Sequence, residues 1–349
     1  MPILFNIMRY IGSKNSILEF LNTTIHSCVA PEKGLTFADL FSGTTSVSQL
    51  FKRLGYRVIS NDYMAFSYIF QVAYLQNCKE PSFKKLRCGG YLNVLSELNS
   101  LPSTDGFFSK NYCTETSSDT GYSRNYFSKH NAGKIDSIMS KLRNWKDTGL
   151  TTPIEDAVLR TSLIDAVTKI SNISGTYAAF LKHDDPRKNK DLLLKPISFI
   201  PSKEAHSCHN EDILSFIDKT SGDILYLDPP YNQRQYPPYY HMLETMALDD
   251  NPAIYGKTGR RPYQDKLSPF CVKSKVKDAL LSLVGRAKFK HIFLSYSTEG
   301  LMSVKEIEKT LSEFGAVSTF FHDYRRYKSN SNGETHSDVK EVLFHVSKN

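Results

Sequence analysis

Tryptophan occurs once in the 349 residues, and the six cysteines (Cys28, Cys78, Cys88, Cys113, Cys208 and Cys271) form no Cys-x-x-Cys pair. Such irregular spacing speaks against a structural zinc site and a disulfide framework. No metal is therefore expected, and a reducing, cytoplasmic setting is the simplest. No run of about 18 apolar residues is present to cross a bilayer as a helix. The first residues also lack the charged-then-apolar pattern of a secretory signal. There is no internal repeat that would announce a solenoid. The Gly-x-Gly-x-x-Gly fingerprint is missing as well, which weighs against a dehydrogenase that binds a dinucleotide.

Hydrophobic residues make up 40% of the chain, enough for a sizeable core. Lysine and arginine total 44 against 36 aspartate and glutamate, giving a net charge of +8, which favours a polyanionic partner. Twenty tyrosines and 21 phenylalanines accompany these cations. Aromatic faces beside cations suit base stacking combined with phosphate contacts.

One stretch organises the rest, Asp223-Ile-Leu-Tyr-Leu-Asp228-Pro229-Pro230-Tyr231. The run Ile224 to Leu227 reads as a buried strand. Two prolines cannot continue a central strand, because neither donates to the ladder. The chain thus leaves over the carboxyl edge, where open α/β sheets bind ligands. An aromatic amine is a poor nucleophile because its lone pair is spread into the ring. Two acceptors aimed at its N–H bonds free that lone pair. The Asp228 carboxylate is one, and the Pro229 carbonyl, directed by the fixed φ of proline, is the other. Tyr231 offers a face for a base taken out of its stack.

A second unit lies upstream. Leu35 to Leu40 read as a strand, Asp39-Leu-Phe41-Ser-Gly43-Thr-Thr45-Ser46 as a small-residue loop before a helix, and Arg57 to Ser60 as a strand ending in Asn61-Asp62. An acid at the end of that second strand bonds ribose hydroxyls in nucleotide-type folds. Asp39 near the loop repels pyrophosphate but attracts an ammonium group. Gly12-Ser13-Lys14 precedes a helix over about Ser16 to Val29 and reads as its N-cap, with an anion site as the alternative.

Helices are predicted at Ala65 to Gln76, Tyr91 to Leu98, Asn131 to Trp145 and Ile154 to Ser171. The last has Thr152 as N-cap, Pro153 at the first position and Glu155 closing a capping box. Between Gly106 and Lys129 the chain is polar and without period. Arg124, Tyr126, Lys129, His130 and Lys134 read as a phosphate and base surface, with a solvated loop as the equal alternative. The run His183 to Lys190 reads as solvated. After the prolines come Arg234, Tyr236 and His241, in a polar stretch whose residue types suit base edges. Arg260, Arg261 and Lys266 read as a mobile basic lid. A helix from Lys275, a strand His291 to Tyr296, a helix from Ser303 and two strands, Val317 to Tyr324 and Glu341 to Val346, complete the chain. Two strands joined without a helix pair antiparallel.

Together these residues resemble the Dam-type DNA adenine methyltransferases, including modification enzymes of restriction–modification systems. Arg9-Tyr10-Ile-Gly12-Ser13-Lys14 resembles the family's N-terminal cofactor motif, Asp39-Leu-Phe41-Ser-Gly43 its first-strand motif, Asn61-Asp62 its second, Asn210-Glu211-Asp212-Ile213 the adenine-holding motif, and Asp228-Pro229-Pro230-Tyr231 the catalytic motif. One departure is Thr45, where the family usually has a second glycine.

The resemblance implies a Rossmann-like S-adenosylmethionine-dependent methyltransferase fold. Its sheet would be seven-stranded and mostly parallel, with an antiparallel C-terminal edge hairpin. Residues 1–73 and 204–349 would form the catalytic domain, and 74–203 a largely helical target-recognition insertion. Tyr10, Lys14, Asp39, Phe41 and Gly43 would lie at the methionine end of S-adenosylmethionine, Asp62 at its ribose, and Asp212 and Ile213 at its adenine. The acceptor would be a flipped adenine of double-stranded DNA, and the enzyme a monomer with a possible cognate restriction endonuclease. The alternatives are RNA adenine, a cytosine amine, or an idle nucleic-acid-binding module.

Overall fold

The computed structural model describes residues 12–114, 121–323 and 339–348. Seven strands form one sheet: β1 (Thr36–Asp39), β2 (Arg57–Asn61), β3 (Ser207–His209), β4 (Ser221–Leu227), β5 (Lys288–Ser297), β6 (Ala316–Asp323) and β7 (Lys340–Ser347), in the order β3-β2-β1-β4-β5-β7-β6. The pairs β3–β2, β2–β1, β1–β4 and β4–β5 are parallel, and β7 is antiparallel to both its neighbours. This is the seven-stranded, mostly parallel sheet with an antiparallel C-terminal edge hairpin that the sequence resemblance implies.

Successive side chains of the central strands alternate between two cores, as the two-residue period of a strand requires. Phe37, Ile224, Tyr226 and Phe293 pack with α1 (Leu18–Cys28) and α2 (Ser46–Arg53) on one face. Ala38, Leu225, Leu227, Ile292 and Leu294 pack with later helices on the other. Strand order reverses between β1 and β4: from β1 the sheet is built outward through β2 to β3, and from β4 through β5 the other way. Their carboxyl ends, Asp39 opposite Tyr226 and then Asp228, open on one crevice.

A third core gathers α3 (Ala65–Gln71), α4 (Tyr91–Ser100), α5 (Phe107–Asn111), α6 (Lys129–Asp147) and α7 (Pro153–Ile170) around residues such as Leu98, Ile138, Trp145 and Leu163. The capping box of α7, Thr152 with Glu155, forms as its sequence predicts. α3 stops at Gln71 and Val72–Gln76 winds on as a π-helix. Lys52, 1% exposed, closes that end by donating to the carbonyls of Tyr74, Leu75 and Asn77 at 2.9, 2.8 and 2.8 Å.

Two further helices follow β3 and β4: α8 (Ile213–Phe216) and α9 (Tyr236–Leu248). The polar reading of the stretch after the prolines is corrected here. Pro237 and Pro238 occupy the first turn of α9, where a missing N–H costs nothing, and the helix then runs through the third core. α10 (Val276–Arg286) and α11 (Val304–Leu311), the latter with the Ser303–Glu306 capping box, complete the fold. Among the described residues no helix is long and apolar enough to cross a membrane.

Candidate active site

Thr45 takes the place of the family's second glycine and adopts a left-handed backbone, with φ 64°. A β-branched residue is strained there. Its hydroxyl accepts from the Gln49 amide at 3.0 Å, which ties the strained turn to α2. The loop therefore keeps its turn without the glycine.

Gly43 presents its N–H to Asp62 at 2.8 Å, and the other Asp62 oxygen accepts from the Met64 N–H at 2.8 Å. The ends of β1 and β2 are thus locked together by one carboxylate. Asn61 exchanges hydrogen bonds with Glu211 (3.1 and 3.0 Å), and the Asn210 amide donates to the Asp62 carbonyl at 2.7 Å. Asp212, set by these links, caps α8 by accepting from the Ser215 N–H.

One cavity is lined by Lys14, Asp39, Phe41, Gly43, Asp62, Asp212, Ile213 and Asp228, with Pro230 beside them. The residues predicted for the cofactor are brought together there, except Tyr10, which lies outside the described residues. Tyr63, Gln235, Tyr236 and Lys266 also line it and were not singled out for it by sequence. Lys266 donates to the buried Glu244 at 2.6 Å and to the Tyr63 carbonyl at 2.9 Å, while the Tyr63 hydroxyl donates to the Asp265 carbonyl at 2.7 Å. The expected mobile lid is corrected accordingly. This segment is tied across the cavity by charge-assisted bonds, and Arg261 is paired with Asp250 at 2.6 Å.

The charge of this lining is the chemical signal. Burial pushes the Asp39 carboxyl up to about 7, with Asp228 and Asp62 adding repulsion against the Ser48 hydroxyl bond. Burial also raises Asp62. One oxygen of Asp39 is buried without a partner among the described residues. A cavity with surplus carboxylate and an orphaned acceptor fits a cationic ligand with hydroxyl and amine donors, which matches the sulfonium, ammonium and ribose of S-adenosylmethionine.

Lys14 forms the back wall. Its ammonium lies 3.0 Å from Asp228 and 2.6 Å from Glu341. The preceding glycine, Gly12, has φ +78°, and a Cβ there would meet the Tyr236 hydroxyl at 3.0 Å. Glycine therefore lets Tyr236 approach the turn that delivers Lys14. Burial works against the Lys14 ammonium, but Asp228 and Glu341 outweigh it and hold its pKa well above the usual value. Burial pushes Asp228 up to about 7; Lys14 opposes this and Glu341 reinforces it.

A second cavity adjoins the first through Gly12, Ser13 and Lys14 and is lined by Tyr231, Asn232, Arg234, Ser297 and Glu341. Tyr231 is held edge-on to Tyr296 at 5.8 Å, and its carbonyl accepts from the Leu301 N–H at 2.8 Å. Glu341 was missed by sequence because nothing local on β7 marks it; only strand order brings it to Lys14.

Several residues expected on a DNA surface lie elsewhere. Arg124, Tyr126 and His241 are fully buried. The Arg124 guanidinium donates to the carbonyls of Gly256, Lys257 and Asn111 at 3.0 to 3.2 Å, so it clamps a turn. The Tyr126 hydroxyl and the His241 ring both hold the Tyr177 carbonyl, at 2.7 and 3.0 Å. Burial drives the His241 pKa down to about 3. Lys134 is buried against the Asn99 and Leu101 carbonyls, and Lys188 is buried against Asp184. Tyr236 lines the first cavity. Lys129 and Arg234 are exposed, and Arg234 and Arg260 share an open cleft with Asn232 and Gln233.

The model of the family described as "D12 class N6 adenine-specific DNA methyltransferase" matches residues 10–310. The chain is 42% identical over 347 residues to "Type II methyltransferase M.FokI" of Planomicrobium okeanokoites, covering 98% of this chain and 53% of that protein. It is 37% identical to "Modification methylase StsI" of Streptococcus sanguinis, covering 97% and 52%. To "Type II methyltransferase M.NlaIII" of Neisseria lactamica it is 36% identical over 323 residues, covering 92% and 93%. The chain thus spans about half the length of the first two relatives and nearly all of the third.

Proposed function

We propose, from the premise that this chain belongs to the D12 class of N6 adenine-specific DNA methyltransferases, that it transfers a methyl group from S-adenosylmethionine to the exocyclic amine of an adenine flipped from double-stranded DNA. The observation that carries the reading is the meeting of two cavities at Lys14. One is rich in carboxylates, the other is walled by Tyr231, and Asp228 stands beside the shared ammonium.

S-adenosylmethionine supplies an electrophilic methyl group on a sulfonium sulfur. Asp39 and Asp62 hold its cationic and hydroxyl groups, and Asp212 faces its adenine. Tyr231 stacks on the flipped base, and Asn232 and Arg234 border its entrance. Asp228 and the Pro229 carbonyl accept the two N–H bonds of the amine and turn its lone pair out of conjugation. Positioning and preorganised acceptors provide most of the acceleration. The helical region 74–203 serves as the target-recognition insertion, and the exposed Lys129 and Arg234 with the half-buried Arg260 meet phosphates. The wider role is protection of host DNA in a restriction–modification system, by a cytoplasmic monomer acting alongside a cognate endonuclease.

The test is nucleoside mass analysis of plasmid DNA after incubation with the protein and methyl-labelled S-adenosylmethionine. Label in methyladenine is expected. Label in methylcytosine would overturn the base assignment, and transfer to RNA alone would overturn the duplex.

Two further outcomes are expected. Asp62→Ala weakens S-adenosylmethionine by about 10- to 100-fold in calorimetric titration, because a charge-assisted bond to the ribose is lost. DNA affinity of that variant stays near wild type; an equal loss for both ligands would point to a collapsed site. DNA affinity of the native protein falls steeply with salt, because binding releases condensed phosphate counterions and that release is less favourable as bulk salt rises. A flat response would remove the cationic footprint.

A further inference from the structure

Glu341 comes from β7, the strand that enters the sheet antiparallel between β5 and β6, where it pairs with Ser297. One of its carboxylate oxygens lies 2.6 Å from Lys14 Nζ and accepts from the Ser295 hydroxyl at 2.7 Å. The same ammonium lies 3.0 Å from Asp228. The side chains of Lys14, Asp228 and Glu341 are 6, 16 and 10% exposed. One buried cation is thus shared by two carboxylates. Asp228 lines the first cavity and Glu341 the second.

We propose that Glu341 is a positioning residue for the amine-gripping carboxylate: by holding the Lys14 ammonium from the far side, it fixes the direction of Asp228 and leaves it free to accept an adenine N–H. This rests on the reading of Asp228 given above. A carboxylate fully engaged by one ammonium is a weaker acceptor for a neutral amine, because its lone pairs and its charge are already taken up. Glu341 takes the shorter bond, so Asp228 is only partly neutralised. The Ser295 bond in turn fixes Glu341. The groups that face Asp228 come from several elements: Lys14 before α1, Asp39 on β1, Tyr226 on β4, Tyr231 after it, Tyr236 on α9 and Glu341 on β7. Glu341 adds negative charge at the shared ammonium.

The experiment is single-turnover methylation of adenine-unmethylated plasmid DNA, with saturating methyl-labelled S-adenosylmethionine, as a function of pH. Glu341→Gln keeps the size of the side chain and an acceptor for Ser295 but removes the charge. Its acid limb is expected to move about one unit to lower pH, since a like charge near Asp228 is gone. Its plateau rate is expected to fall about tenfold, because Lys14 then engages Asp228 alone. Glu341→Asp keeps the charge, and its acid limb stays at the wild-type position. A limb that does not move in Glu341→Gln, or moves up, overturns the proposal. Unfolding of Glu341→Gln beside a folded Glu341→Asp with wild-type plateau also overturns it, since the charge then serves the fold alone. Should Asp228→Ala keep the wild-type rate, the reading of Asp228 itself fails. An inactive Asp228→Ala with an unmoved Glu341→Gln limb removes only the role of Glu341.

Discussion

Asp228→Ala is expected to lower the single-turnover rate of methyl transfer by on the order of 10²- to 10³-fold, the usual loss when one preorganised group facing the reacting atoms is removed. The fold is expected to survive. Lys14 keeps Glu341 at 2.6 Å, so truncation does not strand a buried ammonium. Binding of S-adenosylmethionine is expected to stay within a few fold, because Asp39, Asp62 and Asp212 are untouched. Rapid quench separates the rate from the affinity, and a variant that turns over normally would falsify the assignment. A pH dependence accompanies it. Burial pushes the native Asp228 carboxyl up to about 7, against the pull of Lys14. The ionised form is the stronger acceptor for its N–H of the amine, and only it carries a negative charge to offset the positive charge that develops on the nitrogen. The native rate should therefore be full above about 7 and fall as pH drops through it. A limb near the ordinary carboxylate range would mean that the sulfonium charge outweighs burial at Asp228 once the cofactor is bound.

Lys52→Met is expected to destabilise the protein by about 3 kcal/mol, without touching the site. Three main-chain carbonyls, those of Tyr74, Leu75 and Asn77, lose the Lys52 ammonium as a donor, which leaves the Leu75 carbonyl with the weak Cys78 thiol contact at 4.0 Å. Each buried carbonyl left unpaired costs about 1 kcal/mol or more. Methionine fills the space but donates nothing. Burial already lowers the Lys52 pKa, so some of the loss is returned when a desolvated cation is removed. Against a usual total of about 5–15 kcal/mol, the effect is large. Chemical unfolding reads it directly, and an unchanged midpoint would mean that solvent or neighbouring amides satisfy the π-turn. Two changes far apart thus separate rate from stability: Asp228→Ala acts on the first and Lys52→Met on the second.

Much of this was legible in the chain itself. Asp228-Pro229-Pro230-Tyr231 marks the end of a strand because proline cannot join a ladder. Asp39, Gly43 and Asp62 mark a strand–loop–helix–strand unit because small residues and acids sit where strands end. The capping boxes at Thr152 and Ser303 are local, so their spacing alone predicts them. Readings that failed share one cause. Tyr236 to His241 read as a polar stretch facing bases, but prolines are harmless in the first turn of a helix, and the third core draws α9 inward with His241. Arg124 and Lys134 look like phosphate contacts, but carbonyls of distant segments hold them.

What the sequence determined by itself is the set of short-range elements and the chemistry at their ends: a strand broken by two prolines, an acid at the carboxyl ends of β1, β2 and β4, a lysine after Gly12. What only the tertiary structure decided is which of these charges meet. Glu341 stands 327 positions from Lys14, yet the antiparallel insertion of β7 sets their side chains 2.6 Å apart. Hydrogen-bonding partners within a turn follow from local backbone geometry. A buried ion cluster depends on strand order, which is fixed by the packing of both faces of the sheet and not by any neighbouring residue.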